Sequence, residues 1–86
     1  MDEFLTIADA ARLIASRKLS PVELTRQCLA RIQRLDPVLH SFILVTGERA
    51  LSDARAAQAR MMAGSMRGPL DGIPIAHKDI YCTAGI

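Results

Sequence analysis

Near its end the chain places three polar groups in succession, His77-Lys78-Asp79, directly after the short apolar run Ile73-Pro74-Ile75-Ala76. The stretch from Gly68 to Ile80 reads GPLDGIPIAHKDI, so two glycines and two prolines bracket that delivery. Only Lys18 and Lys78 among the eleven basic residues are lysines; the rest are arginines. Lys78 has three readings on its residues alone. It is a surface cation paired with its neighbour Asp79, an anion ligand beside glycine-rich backbone, or a catalytic base. The phosphate-loop pattern GxxxxGK[ST] is absent, because no glycine directly precedes Lys78.

A lysine accepts a proton only when neutral. Its pKa must then fall from about 10.4 toward roughly 7 to 8. At about 1.4 kcal/mol per unit, the surroundings must disfavour the ammonium by roughly 3 to 5 kcal/mol. The apolar approach through Ile73 to Ala76 offers such surroundings, and successive strand residues point to opposite faces, which turns Asp79 away from Lys78. His77 reads as a packing or hydrogen-bonding neighbour. Cys28 and Cys82 are far apart and make no metal-ligand spacing. Cys28 reads as a small buried hydrophobe, Cys82 as structural, and both as free thiols of a reducing cytoplasm.

The elements that must hold this stretch are legible upstream. Thr6 suits an N-cap with Asp9 three residues on, and Ile7, Ala10, Ala11, Leu13 and Ile14 form one apolar face, which predicts a helix over about 7–17. Ser20-Pro21-Val22-Glu23 combines a cap, a first-turn proline and a capping-box acid. Leu24, Cys28, Ile32 and Leu35 continue as a stripe until Asp36-Pro37, where the residue before proline is pushed off helical angles. His40 to Thr46 is rich in β-branched and aromatic residues and predicts a strand buried on both faces. Glu48 to Ala63 predicts a third helix with a small-residue face at Ala50, Leu51, Ala54, Ala57, Arg60 and Met61, stopped by Gly64. The segment before Lys78 then predicts a second strand. Strand–helix–strand is the minimal crossover that makes two parallel strands.

Eighty-six residues, half of them apolar, make one small globular unit with few aromatics and a thin core. The net charge is +2 and the arginines alternate with acids, so no basic patch marks a nucleic-acid surface and no direct nucleic-acid binding is expected. Met1-Asp2-Glu3 does not read as a basic leader. Apolar runs fall far short of the roughly 20 residues that span a bilayer, so no membrane association is expected. Two strands leave unpaired edges, and the chain is expected to be the opening piece of a larger α/β protein.

With those elements in place, GPLDGIPIAHKDIYCTAGI resembles the first signature segment of the amidase signature family, which typically reads G-P-L-x-G-I-P-x-x-x-K-D before a T-x-G turn. LDPVLHSFILVTGERALSDARAAQA is similar to the family's strand and alanine-rich helix, and SPVEL to the start of its amino-terminal helix. The resemblance covers nearly the whole chain. It implies the opening part of the α/β/α amidase fold, with residues 1–86 forming the amino-terminal fragment of one domain whose serine-containing part is absent here. It also implies that Lys78 is the base of a Ser–cisSer–Lys triad. In such a triad, lysine takes a proton through a bridging serine and activates a nucleophilic serine against an amide carbonyl. Ser16, Ser20, Ser41, Ser52 and Ser65 lie outside any Gly-Ser tract, and none is assigned to the triad. The chain alone is therefore expected to be inactive.

Within the family, His77 and the run Lys78-Asp79-Ile80-Tyr81-Cys82-Thr83 are most similar to the glutaminase subunits of bacterial tRNA-dependent amidotransferases. That implies glutamine as substrate and ammonia delivered to partner subunits, B and C. There, ATP and magnesium would serve the conversion of misacylated Glu-tRNA(Gln) or Asp-tRNA(Asn), and the glutaminase part would need no cofactor. A general amidase acting on small carboxamides is the main alternative. An inert truncation or a partner-binding helical module is the alternative of another class.

Overall fold

The computed structural model describes residues 5–78 and residue 84. They form three helices: α1 (Ile7–Ala15), α2 (Pro21–Leu39) and α3 (Gly47–Ala63). The first begins as its sequence dictates, with the Thr6 hydroxyl accepting the Asp9 N–H at 3.1 Å and Asp9 pairing with Arg12 on the next turn. It ends two residues short of the expected Arg17. Arg17 takes a left-handed conformation at φ 62°. The N–H of Arg17 then reaches Ile14 O at 3.0 Å and that of Lys18 reaches Leu13 O at 2.8 Å. This is the Schellman closure, made here without glycine.

At the start of α2 the Ser20 hydroxyl accepts from both Val22 N and Glu23 N, at 3.1 and 3.3 Å, with Pro21 in the first turn. The same hydroxyl donates to Gln58 Oε1 on α3, so one side chain caps a helix and ties it to another. The expected stop at Asp36-Pro37 does not hold: α2 runs through Pro37 to Leu39 and closes at His40, φ 52°. Proline removes one N–H near the helix end, and Asp36 accepts the N–H groups of the residues that follow the helix. Its carbonyl accepts His40 N at 2.7 Å, and its carboxylate accepts Ser41 N and Phe42 N at 2.6 and 3.2 Å. The third helix stops at Gly64 as expected, φ 72°, with Ser65 N reaching Arg60 O at 2.9 Å.

The core lies where the three helices meet. Ala10 and Ile14 of α1, Leu19, Leu24 of α2 and Met61 of α3 are buried together, and Leu13, Cys28, Met66 and Ile73 pack against them half-buried. Cys28 thus sits beside apolar neighbours as a free thiol, while Cys82 lies outside the described residues. The α2 stripe fades along its length: Leu24 is buried and Leu35 is 39 % exposed. Among the described residues, no further element covers the far end of the helix pair.

No strand forms among the described residues. Residues 40–46 and 73–76 are non-helical, and the burial expected on both faces of 40–46 is not present here: Ile43 is 84 % exposed, Leu44 61 %. A strand is stabilised by hydrogen bonds to a neighbour, and among the described residues these two segments find no sheet to join. The chain exposes 6467 Å², against about 5,000 Å² for a folded monomer of its mass.

Candidate functional site

The stretch Gly68 to Ile73 folds as two overlapping turns. Gly68 O accepts Asp71 N at 3.2 Å, with Pro69 second in the turn, and Leu70 O accepts Ile73 N at 3.0 Å. Gly72 is third in the second turn at φ 89°, the position where a turn of this kind takes glycine. The turns lean on the helices: Gly72 meets Pro21, the fully buried first residue of α2.

Asp71, between them, is the anchor. Its side chain is 7 % exposed and accepts three hydrogen bonds. Arg60 of α3 supplies two of these in a bidentate fork, Nε to Oδ2 at 2.9 Å and Nη2 to Oδ1 at 2.7 Å. The backbone N–H of Arg67 adds the third, to Oδ2 at 3.1 Å. The hydrogen bond from Arg60 leads in lowering the Asp71 carboxyl to about 2, with the Arg67 N–H and the two guanidinium charges adding to it against the opposing effect of burial. The same pair raises Arg60 above its usual value.

This pair is the feature that sequence reading misses. A signal for it exists: Arg60 occupies a position on the alanine and methionine face of α3, where a guanidinium requires a carboxylate. The fourth residue of GPLDG supplies it.

From the anchored turn the chain runs out toward Lys78. Ile73 is half-buried, Ile75 is 71 % exposed, and His77 and Lys78 are exposed. The apolar enclosure expected around Lys78 is therefore not gathered by these residues. Asp79 and the following Ile80 to Thr83 lie outside the described residues. A cleft of about 500 Å³ runs between α3 and this segment, lined by Arg49, Asp53, Arg60, Asp71, Ile75 and His77 among others. Three of the serines serve local structure. Ser20 caps α2, while Ser16 and Ser65 donate to the carbonyls of Leu13 and Arg60 at 3.1 and 3.4 Å. Among the described residues no group of acids, histidines or cysteines is arranged to hold a metal, and no helix is long and apolar enough to cross a membrane.

The amidase family model matches residues 23–86, which include the whole anchored turn and Lys78. The chain is also 56 % identical over 82 residues to the A subunit of the glutamyl-tRNA(Gln) amidotransferase of Azotobacter vinelandii, covering 95 % of this chain and 17 % of that protein. The corresponding protein of the same name from Pseudomonas putida is 57 % identical over the same shares. That of Methylococcus capsulatus is 56 % identical over 94 % of this chain and 16 % of its own length. The chain thus spans about a sixth of the curated relatives it matches. No solved structure matches it.

Proposed function

The chain belongs to the amidase family, and from that premise we propose that it forms the opening part of a glutaminase subunit supplying ammonia for transamidation of Glu-tRNA(Gln) or Asp-tRNA(Asn). The observation that carries this reading is identity above one half along nearly the entire chain to proteins named for glutamyl-tRNA(Gln) amidotransferase. The main alternative is a general amidase for small carboxamides.

In this reading residues 40–46 and 73–76 become neighbouring parallel strands once the rest of the domain supplies a sheet. Their exposed Ile43, Leu44 and Ile75 support that role. Sheet formation would bury the approach to Lys78 and desolvate its ammonium, which favours the neutral amine that can act as a base. Neutral Lys78 would take the proton of the nucleophilic serine through the bridging serine, both supplied by sequence beyond residue 86. The serine oxygen attacks the glutamine side-chain amide, ammonia leaves, and water releases glutamate from the acyl-enzyme. ATP and magnesium act at partner subunits, the amidase part needing no cofactor, and the setting is cytoplasmic.

The test is a chimera in which this chain replaces the matching segment of the Azotobacter vinelandii protein, assayed for glutamine hydrolysis beside Lys78→Ala and Lys78→Arg. The chimera is expected to be active and both variants nearly inactive, because guanidinium stays protonated and cannot accept the proton. An arginine variant retaining more than about a tenth of wild-type kcat, a barrier change below roughly 1.4 kcal/mol, would exclude Lys78 as the base.

A further inference from the structure

We propose that Asp71 and Arg60 are positioning residues for Lys78: their bidentate pair fixes where the segment carrying the base leaves the helical layer. This rests on the reading of Lys78 given above. The geometry is that of a clamped lever. At residues 71–73 the chain is held from several sides, by the Arg60 fork and the Arg67 N–H on Asp71, by Pro21 against Gly72, and by the core against Ile73. From Ile75 to Lys78 the residues are exposed. The clamp is therefore the fixed root of the segment on the near side of Lys78, while on the far side Arg49 Nη1 of α3 donates to Ala84 O at 2.6 Å. Residues 74–77 join the clamp to the base, and an extended segment transmits a displacement of its root along its length. A base displaced by about 1 Å loses on the order of a hundredfold in rate.

The pair also suits positioning better than bulk stability. A buried ion pair gives little net stabilisation relative to apolar packing, but its fork fixes direction as well as distance. Lysine in place of arginine would keep the charge and lose the fork.

The experiment uses the chimera described above, with Arg60→Lys, Asp71→Glu, Asp71→Asn and the Arg60→Lys/Asp71→Asn double variant. Active sites are titrated with a serine-directed acylating reagent, so that kcat refers to folded enzyme only. The expected result is a fall in kcat per active site of about tenfold or more with KM within about twofold. The double variant is no worse than the poorer single one, because the residues act as one unit. Asp71→Glu, which keeps the carboxylate and shifts it by one methylene, covers the case in which Asp71→Asn does not fold. Overturning results are an unchanged kcat per active site, or losses confined to the titre or the melting temperature. An inactive parent chimera, or an active Lys78→Ala variant, would instead strike the reading of Lys78 itself.

Discussion

Gly72 and Pro21 meet face to face: a methyl group built on Gly72 would lie 2.9 Å from Pro21 Cγ and 3.1 Å from its Cβ. The turn that begins the signature segment is thus pressed onto the first residue of α2, fifty-one positions earlier. Both residues are special for reasons of their own, since Pro21 opens the helix and Gly72 takes φ 89°.

Gly72→Ala is therefore expected to destabilise by about 2 kcal/mol or more, from left-handed strain and from overpacking together. Gly68→Ala, with open space around it and no positive φ, should stay within about 0.5 kcal/mol. Adding Pro21→Ala to Gly72→Ala should recover part of the loss, the steric part, and leave the strain. Urea unfolding followed by circular dichroism measures these variants against wild type. Equal losses at Gly68 and Gly72 would mean that the contact has no energetic weight.

Asp71 carries a pH signature. Its carboxyl titrates at about 2 when folded, against about 3.9 unfolded. The unfolded chain therefore binds the proton first as pH falls. Stability from the pair is complete above pH ~5 and is lost progressively between ~4 and ~2. Carboxyl carbon-13 titration should give Asp71 a midpoint near the folded value of about 2, moving up toward ~4 in Arg60→Met. An unfolded-like midpoint near ~4 in both proteins would show the fork to be absent in solution.

Arg17→Gly is expected to stabilise. Relief of left-handed strain is worth about 1 kcal/mol. The lost contact from the Arg17 guanidinium to Met62 O, exposed and 3.3 Å long, is worth only a few tenths. The strain term wins, and net gain should be about half a kcal/mol in the same unfolding assay. A loss of stability would mean that the link to the end of α3 is the stronger effect.

Ile14 and Ile43 should behave oppositely. Ile14 is fully buried, and Ile14→Ala should cost about 2–5 kcal/mol in the 86-residue chain. Ile43 is 84 % exposed, so Ile43→Ser should be neutral there. In the chimera, where residues 40–46 are proposed to enter a sheet, the same change should cost more than about 1 kcal/mol. Neutrality in both settings would remove that strand from the proposal.

These contrasts show why helices were legible in the sequence and strands were not realised. A cap is local chemistry: Thr6, Ser20-Pro21 and Gly64 act within four residues of themselves, and each sits where the spacing places it. Pro37 misled because the rule for the residue before proline is also local, while the Asp36 carboxylate reaches forward past the helix end to accept from residues 41 and 42. The segment 40–46 has strand composition, but a strand is a relation between segments, and none among the described residues pairs with it. The motif that carries Lys78 was legible as part of the segment that the amidase family model matches. Its anchor was not, because nothing in the spacing of Arg60 and Asp71 announces that a helix face and a turn will meet.

That anchor also has a place in time. Arg60 and Asp71 are eleven positions apart, and a loop of about that size closes in roughly 10–100 ns. A ribosome adds a residue every ~0.05–0.2 s, on the order of a million times more slowly. The fork is thus free to close and reopen many times as soon as Asp71 has room to move, before any sheet forms from non-local pairing. If residues 40–46 and 73–76 enter a sheet as proposed above, nascent chains would then present Lys78 mostly from one direction before those strands pair.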